Sequence, residues 1–160
     1  MSVRLEVAVD ADCDPDTAWT ELTDWAGQAR WIPVTTVQPA TERVEGIGVR
    51  AVALSGFWLG RIPVGLLDRF VVTGWTPPAP DRYGELEVLH LGPYFTGEGA
   101  FRVAPVGDRT RITATEVFSL PGGRLVEALA RLALPVLRIG FLASLRSLQR
   151  ICEKSARGGR

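Results

Sequence analysis

The chain has 160 residues, 46% of them hydrophobic, and its 18 lysines plus arginines balance 18 aspartates plus glutamates. That length and apolar content suffice for a single globular domain with a full core, and zero formal charge leaves no basic footprint for nucleic acid. Two cysteines, Cys13 and Cys152, lie at opposite ends of the sequence with no second ligand group beside either, so neither a disulfide framework nor a metal site is expected and both read as reduced packing thiols.

The first segment, "VRLEVAVDAD", puts Val3, Leu5, Val7 and Val9 on one face and Arg4, Glu6 and Asp10 on the other, the alternation of a half-buried strand. It has no apolar signal core and no small-residue cleavage site, so a cytoplasmic protein is the expectation. In "DPDTAWTELTDW", Asp14 is the expected N-cap, with Pro15 at the first helical position and Asp16 in the first turn, which predicts a short helix. Gly27 and Pro33 bracket a second helical piece, "QARW". From there to residue 120 the chain reads as strands punctuated by "EGIG", "PPAPD", "GPYFTGEG" and "PVGD". The strands are predicted over Val34–Glu42, Val49–Trp58, Leu67–Trp75, Tyr83–Leu91, Gly97–Ala104 and Thr110–Leu120, seven with the first.

The last long segment, Arg124 to Cys152, is nearly all Leu, Ala, Val and Arg. Glu127 and a series of arginines interrupt it, and no membrane span is expected because a span needs roughly 20 apolar residues in a row. Leu125, Leu129, Leu132, Val136, Ile139, Leu142, Leu145, Leu148 and Cys152 recur every three or four residues, which reads as one amphipathic stripe opposite the arginines. Pro135 predicts a kink or break near residue 134. A straight helix of this length would be about 45 Å long, against a compact domain about 40 Å across. The reading is a bent terminal helix whose apolar face is consumed inside its own chain, leaving a monomer or weak homodimer. An interfacial membrane helix is the minor alternative. Residues 1–154 form the expected domain, and 155–160 a frayed tail.

The order strand, short helices, a run of strands, one long helix is an α+β arrangement with helices on one face of an antiparallel sheet. Three blocks, "DRFVVTGWTPPAPDRYGELEV", "GEGAFRVAPVGDRTRITATEVFSLPGG" and "LPVLRIGFLASLRSLQRICE", in this order and spacing, with "DWAGQARWIP" before them, resemble the polyketide cyclase/dehydrase-like branch of the SRPBCC (START-like) superfamily over nearly the whole chain. The resemblance implies a helix-grip fold: a curved seven-stranded sheet wrapped around the C-terminal helix, with an apolar cavity between them.

Alternation then says which side chains point inward. On "ELEVLHLG", His90 shares the face of Leu86 and Val88; on "RITATEVF", Glu116 shares the face of Ile112, Ala114 and Phe118; on "GAFRVA", Phe101 and Val103 face in. An inward imidazole beside a carboxylate can hold a proton near neutral pH, so His90 and Glu116 are the candidate acid/base pair. A satisfied core histidine, with Glu116 paired to Arg138, is the plainer reading. Trp25 and Trp31 flank the helical turn that the resemblance places at the cavity mouth. Trp75 falls on the solvent face of Arg69 and Thr73 unless a bulge intervenes. "SGFWLGRIPVGLL", residues 55–67, is an apolar, glycine-punctuated segment, either a lid or a hairpin tip. The expected ligand-lining set is Trp25, Trp31, Trp58, Phe70, His90, Tyr94, Phe101, Glu116, Phe118, Arg138 and Phe141.

No Ser-His-Asp set, paired-carboxylate constellation or Gly-rich phosphate loop is present, and no cofactor is expected. The leading expectation is a binding module enclosing a small lipophilic molecule of polyketide, fatty acid or isoprenoid type. The alternatives are an aromatase/cyclase or dehydratase using His90 or Glu116, and a co-chaperone-like protein contacting a partner through residues 55–67.

Overall fold

The computed structural model describes residues 2–59 and 61–158, the side chains of 57–59, 62–63, 124–127 and 129–130 lying outside the described set. Strand β1 (Val3–Ala11) leads into helix α1 (Pro15–Thr23) and a short 3₁₀ helix (Ala26–Arg30). Strands β2 (Thr35–Pro39), β3 (Arg50–Leu59), β4 (Ile62–Thr76), β5 (Gly84–Pro93), β6 (Thr96–Val106) and β7 (Arg109–Ser119) follow, and helix α2 (Gly123–Gly158) closes the chain. The seven strands form one antiparallel sheet in the order β1-β7-β6-β5-β4-β3-β2. This is the α+β helix-grip architecture, with α2 laid on β1, α1 and part of β7.

Local chemistry explains where the elements start. Asp14 caps α1, its Oδ1 accepting from the Thr17 amide at 2.7 Å, while Pro15 occupies the first turn, where its missing N–H costs nothing. β2 begins at Thr35, one residue later than expected, because Val34 after Pro33 takes a φ of 53° that no strand accommodates. Of the two readings of residues 55–67, lid or hairpin tip, the strand pairing favours the hairpin: β3 and β4 pair antiparallel from Arg50↔Val71 to Leu59↔Ile62, so the gap expected between Trp58 and Leu67 is strand. Trp75 turns inward, opposite Leu86, because the register between β4 and β5 shifts between Val72 and Gly74. Its ring packs edge-on against Trp19 at 5.2 Å.

The core joins Val7 and Val9 of β1, Leu22 of α1, Leu86, Val103 and Ile112 of the sheet, and Leu145, Leu148 and Cys152 of α2. The two cysteines meet there. Cys13 and Cys152 are both buried and free, and the Cys152 thiol is pushed up by its hydrogen bond to Cys13 and by burial. The last residues are not frayed as far as expected: α2 continues to Gly158, Ala156 packs on the core and the Ser155 hydroxyl donates to Glu21 at 2.7 Å.

Of the kink or break expected near residue 134 the break is absent, and a second expectation about α2 fails. The helix continues through Pro135 without a break; the proline removes one hydrogen bond, which the flanking turns tolerate. At 36 residues it is about 54 Å long. The apolar stripe is also not consumed internally. From Leu132 to Cys152 its steps average about 3.3 residues against 3.6 per turn, so the stripe winds back around the helix by about 160°. Leu145, Leu148 and Cys152 therefore face the sheet, while Leu132, Val136 and Ile139 point away from it and are 77%, 72% and 69% exposed. The segment Arg131–Gly158 is long and apolar enough to cross a membrane by length and composition, with 11% of it buried. Its C-terminal half, however, sits in the core cluster, as a helix gripped by a sheet requires.

Candidate functional site

His90 projects from β5 on the concave face, as alternation requires, and is buried. Its Nδ1 lies 2.7 Å from Asp68 Oδ2 and its Nε2 3.2 Å from Glu116 Oε2. Asp68 was not anticipated. It lies two residues before Phe70 on β4, paired across from Ala53 as Phe70 is from Ala51, so its parity with Phe70 was the available signal. The site is thus a three-residue chain, carboxylate–imidazole–carboxylate, carried by β4, β5 and β7.

Glu116 and His90 sit on strands that are not neighbours; β6 runs between them. The contact exists because β6 presents glycine there. Gly97 lies opposite His90 and Gly99 opposite Glu116, so the two side chains cross a strip of bare backbone. A Cβ on Gly99 would stand 2.9 Å from Glu116 Oε1 and 2.9 Å from a Val88 methyl. On Gly97 it would collide with the Val117 carbonyl at 2.0 Å. Of the three glycines in "GPYFTGEG", Gly92 lies at the end of β5, while Gly97 and Gly99 belong to β6, within the strand predicted over Gly97–Ala104, and are spaced by two so that both fall on the concave face.

Burial alone would push the imidazole down, but the hydrogen bond to Asp68 and then that to Glu116 outweigh it and hold His90 up at about 9. At neutral pH the ring is an imidazolium donating both N–H groups to carboxylates. It has no lone pair left to bind a metal or take a proton. The groups with spare capacity are the carboxylates. Asp68 Oδ1 is buried and has no hydrogen-bond partner.

Aromatic rings surround the chain. Phe70 and Phe95 flank His90 at 6.2 and 5.1 Å between ring centres, and Phe118 lies 6.4 Å from Phe95. Phe95, two residues after Pro93 in the turn before β6, was also missed, because "PYFT" reads as punctuation. Further along β6, Phe101 meets Trp31 edge-on at 6.4 Å, and the buried Trp31 Nε1 has no partner.

The remaining expected residues divide. Trp25 and Trp31 are buried; Trp25 packs against Phe70 and donates its Nε1–H to the Val44 carbonyl at 2.7 Å. Phe141 packs against the core and is partly exposed. Tyr94 is half exposed in the turn between β5 and β6. Arg138 is exposed on α2, and Glu116 pairs with His90 instead of with it. The Trp58 side chain lies outside the described residues. A trough of about 670 Å³ crosses the opposite face of the sheet; it carries solvent-exposed ion pairs, Arg4 with Glu6 at 2.9 Å and Arg102 with Glu85 at 2.7 Å, the ordinary dress of an exposed sheet face.

Residues 2–153 match the family described as polyketide cyclase / dehydrase and lipid transport. No curated protein matches the chain. Among solved structures, a protein from Thermus thermophilus superposes with a TM-score of 0.74 at 15% identity, covering 96% of this chain and 99% of that one. The Zhui aromatase/cyclase from Streptomyces sp. R1128 gives 0.67 at 18% identity, over 96% and 95% of the two chains. The di-domain ARO/CYC StfQ from the steffimycin biosynthetic pathway gives 0.71 at 17% identity, with 99% of this chain matching 53% of that one.

Proposed function

The chain belongs to the polyketide cyclase/dehydrase and lipid transport family, and on that premise we propose that it binds a small, largely apolar molecule of polyketide type on the concave face of its sheet. The observation that carries this reading is a pair of unpaired polar atoms. Trp31 Nε1, a donor, and Asp68 Oδ1, an acceptor, are the buried side-chain atoms without partners among the described residues. Asp68 belongs to the His90 cluster, where Phe70 and Phe95 flank the imidazole, and Trp31 meets the ring of Phe101 further along β6. An unpaired buried group costs about 1 to 3 kcal/mol, a cost that a ligand carrying both a carbonyl and a hydroxyl would relieve. A plain hydrocarbon offers neither group, and a fatty acid would bring its carboxylate to a cluster in which two carboxylates already outnumber one imidazolium.

Solvent extracts of the freshly purified protein, read by mass spectrometry, should contain a recurring oxygenated, mainly apolar species, and the same compound should raise the melting temperature when added back. Trp31→Phe deletes the unpaired donor and keeps an aromatic ring, so relief of the buried N–H offsets part of the packing the indole loses and the protein should stay folded, while binding weakens about tenfold, the worth of one hydrogen bond. Ligand affinity unmoved by Trp31→Phe and by Asp68→Asn would remove the basis of the reading.

Asp68 Oδ1 also favours a second reading, proton transfer to or from the bound molecule. With His90 fixed as an imidazolium, the carboxylate is the group able to accept a proton, as cyclisation or dehydration of a reactive chain requires. A binder forms no product from the molecule it holds; a cyclase or dehydratase does, and in Asp68→Asn loses turnover by far more than the change in affinity.

A further inference from the structure

We propose that the exposed N-terminal half of α2 is a docking surface for an anionic lipid membrane, on which the protein lies without crossing it. The stripe Leu132, Val136 and Ile139 faces directly away from the buried side of the helix and is among the most exposed apolar surface of the molecule. The chain leaves β7 and enters α2 at the same end of the sheet as the β3–β4 connection and the β5–β6 turn. Leu66, Tyr94 and Leu120 at that end are exposed as well. A single exposed Leu needs no explanation, but three large apolar side chains on successive turns of one helix face do.

Charge decides what covers it. The protein as a whole is neutral, yet between Glu116 and Glu153 it carries Arg124, Arg131, Arg138, Arg146 and Arg150 against one acid, Glu127. Residues 53–67 contain Arg61 and no acid. Arg61, Arg138, Arg146 and Arg150 are exposed. A second copy docking about a two-fold axis would set these arginines against their own images with almost no acid to answer them. Anionic headgroups answer them directly, and an apolar helix face rimmed by arginine is the pattern of helices that lie in a lipid interface. A crossing is ruled out by Leu145, Leu148 and Cys152, which the same helix commits to the protein core.

The inference is independent of what the concave face holds and is tested apart from it. In flotation assays, the protein should rise with vesicles of phosphatidylcholine mixed with phosphatidylglycerol, stay down with phosphatidylcholine alone, and be released by high salt. Leu132→Gln, Val136→Gln and Ile139→Gln together, or Arg138→Glu with Arg146→Glu, should each weaken flotation about tenfold or more, with melting temperature and ligand response unchanged. Absence of flotation with either vesicle would overturn the proposal. So would equal flotation with neutral vesicles, or a dimer, seen by sedimentation, that the glutamine variant dissociates.

Discussion

The smallest features that build the site are absences of side chain. Gly97 and Gly99 let His90 reach Glu116 across β6, and each can be filled. Gly99→Ala places a methyl 2.9 Å from Glu116 Oε1; the carboxylate can swing aside, so the variant should fold, losing about 1 to 3 kcal/mol as the hydrogen bond to His90 is broken. Gly97→Ala meets the backbone carbonyl of Val117 at 2.0 Å, which cannot swing aside, and should cost more; urea titrations of the two variants rank them. His90 itself couples the site to pH. Its imidazole rises from an ordinary 6.5 to about 9 on folding, so the native state holds a proton that the unfolded chain releases earlier as pH rises. The resulting stabilisation is complete below about pH 6.5 and is lost as pH climbs through about 9, on the order of 3 kcal/mol in all. Stability measured from pH 6 to pH 10 should fall across that window in the wild type and stay flatter in Asp68→Asn; a wild-type curve without the fall would mean that the imidazole is not held between two carboxylates.

At the scale of elements, α2 is two helices in one. The same residue type has opposite worth in its two halves. Leu148 is fully buried and Leu132 is 77% exposed, so Leu148→Ala should cost about 2 to 5 kcal/mol and Leu132→Ala almost nothing, as thermal melts of the two would show. The strands were legible in the sequence because alternation is a local signal: His90, Glu116, Phe101 and Phe118 all lie on the predicted face. The stripe of α2 was misread because steps of three and four residues look uniform in a line of letters, while a small departure from 3.6, repeated along the helix, turns the face around. Asp68 was missed for another reason. Its partner His90 is 22 residues away and on another strand, and only the strand pairing, with a register shift between Asp68 and Phe70, brings them together. The meeting of Cys13 and Cys152 was equally invisible, since nothing local links the end of β1 to the last turns of α2.

For the whole molecule, the consequence is uneven stability. The C-terminal half of α2 is tied to β1, α1 and the central strands through Leu145, Leu148 and Cys152. The half around Leu132, Val136 and Ile139 rests on little but its own backbone ladder, from which Pro135 removes a rung. Isolated helical turns are marginal in water, so this half should open without the rest of the fold. Hydrogen exchange would read the division directly. Amides of residues 145–152 should exchange at the rate of global unfolding, alongside those of β1 and β7, and amides of 132–139 should exchange at least about a thousandfold faster. Binding on the concave face should raise the slow set by mass action, about 2.7 kcal/mol at a hundredfold excess over Kd, and leave the fast set nearly unchanged, because the stripe points away from that face. If 132–139 exchanged as slowly as 145–152 in the free protein, the helix would behave as one rigid body, and its exposed face could not be the loosely held part of the fold.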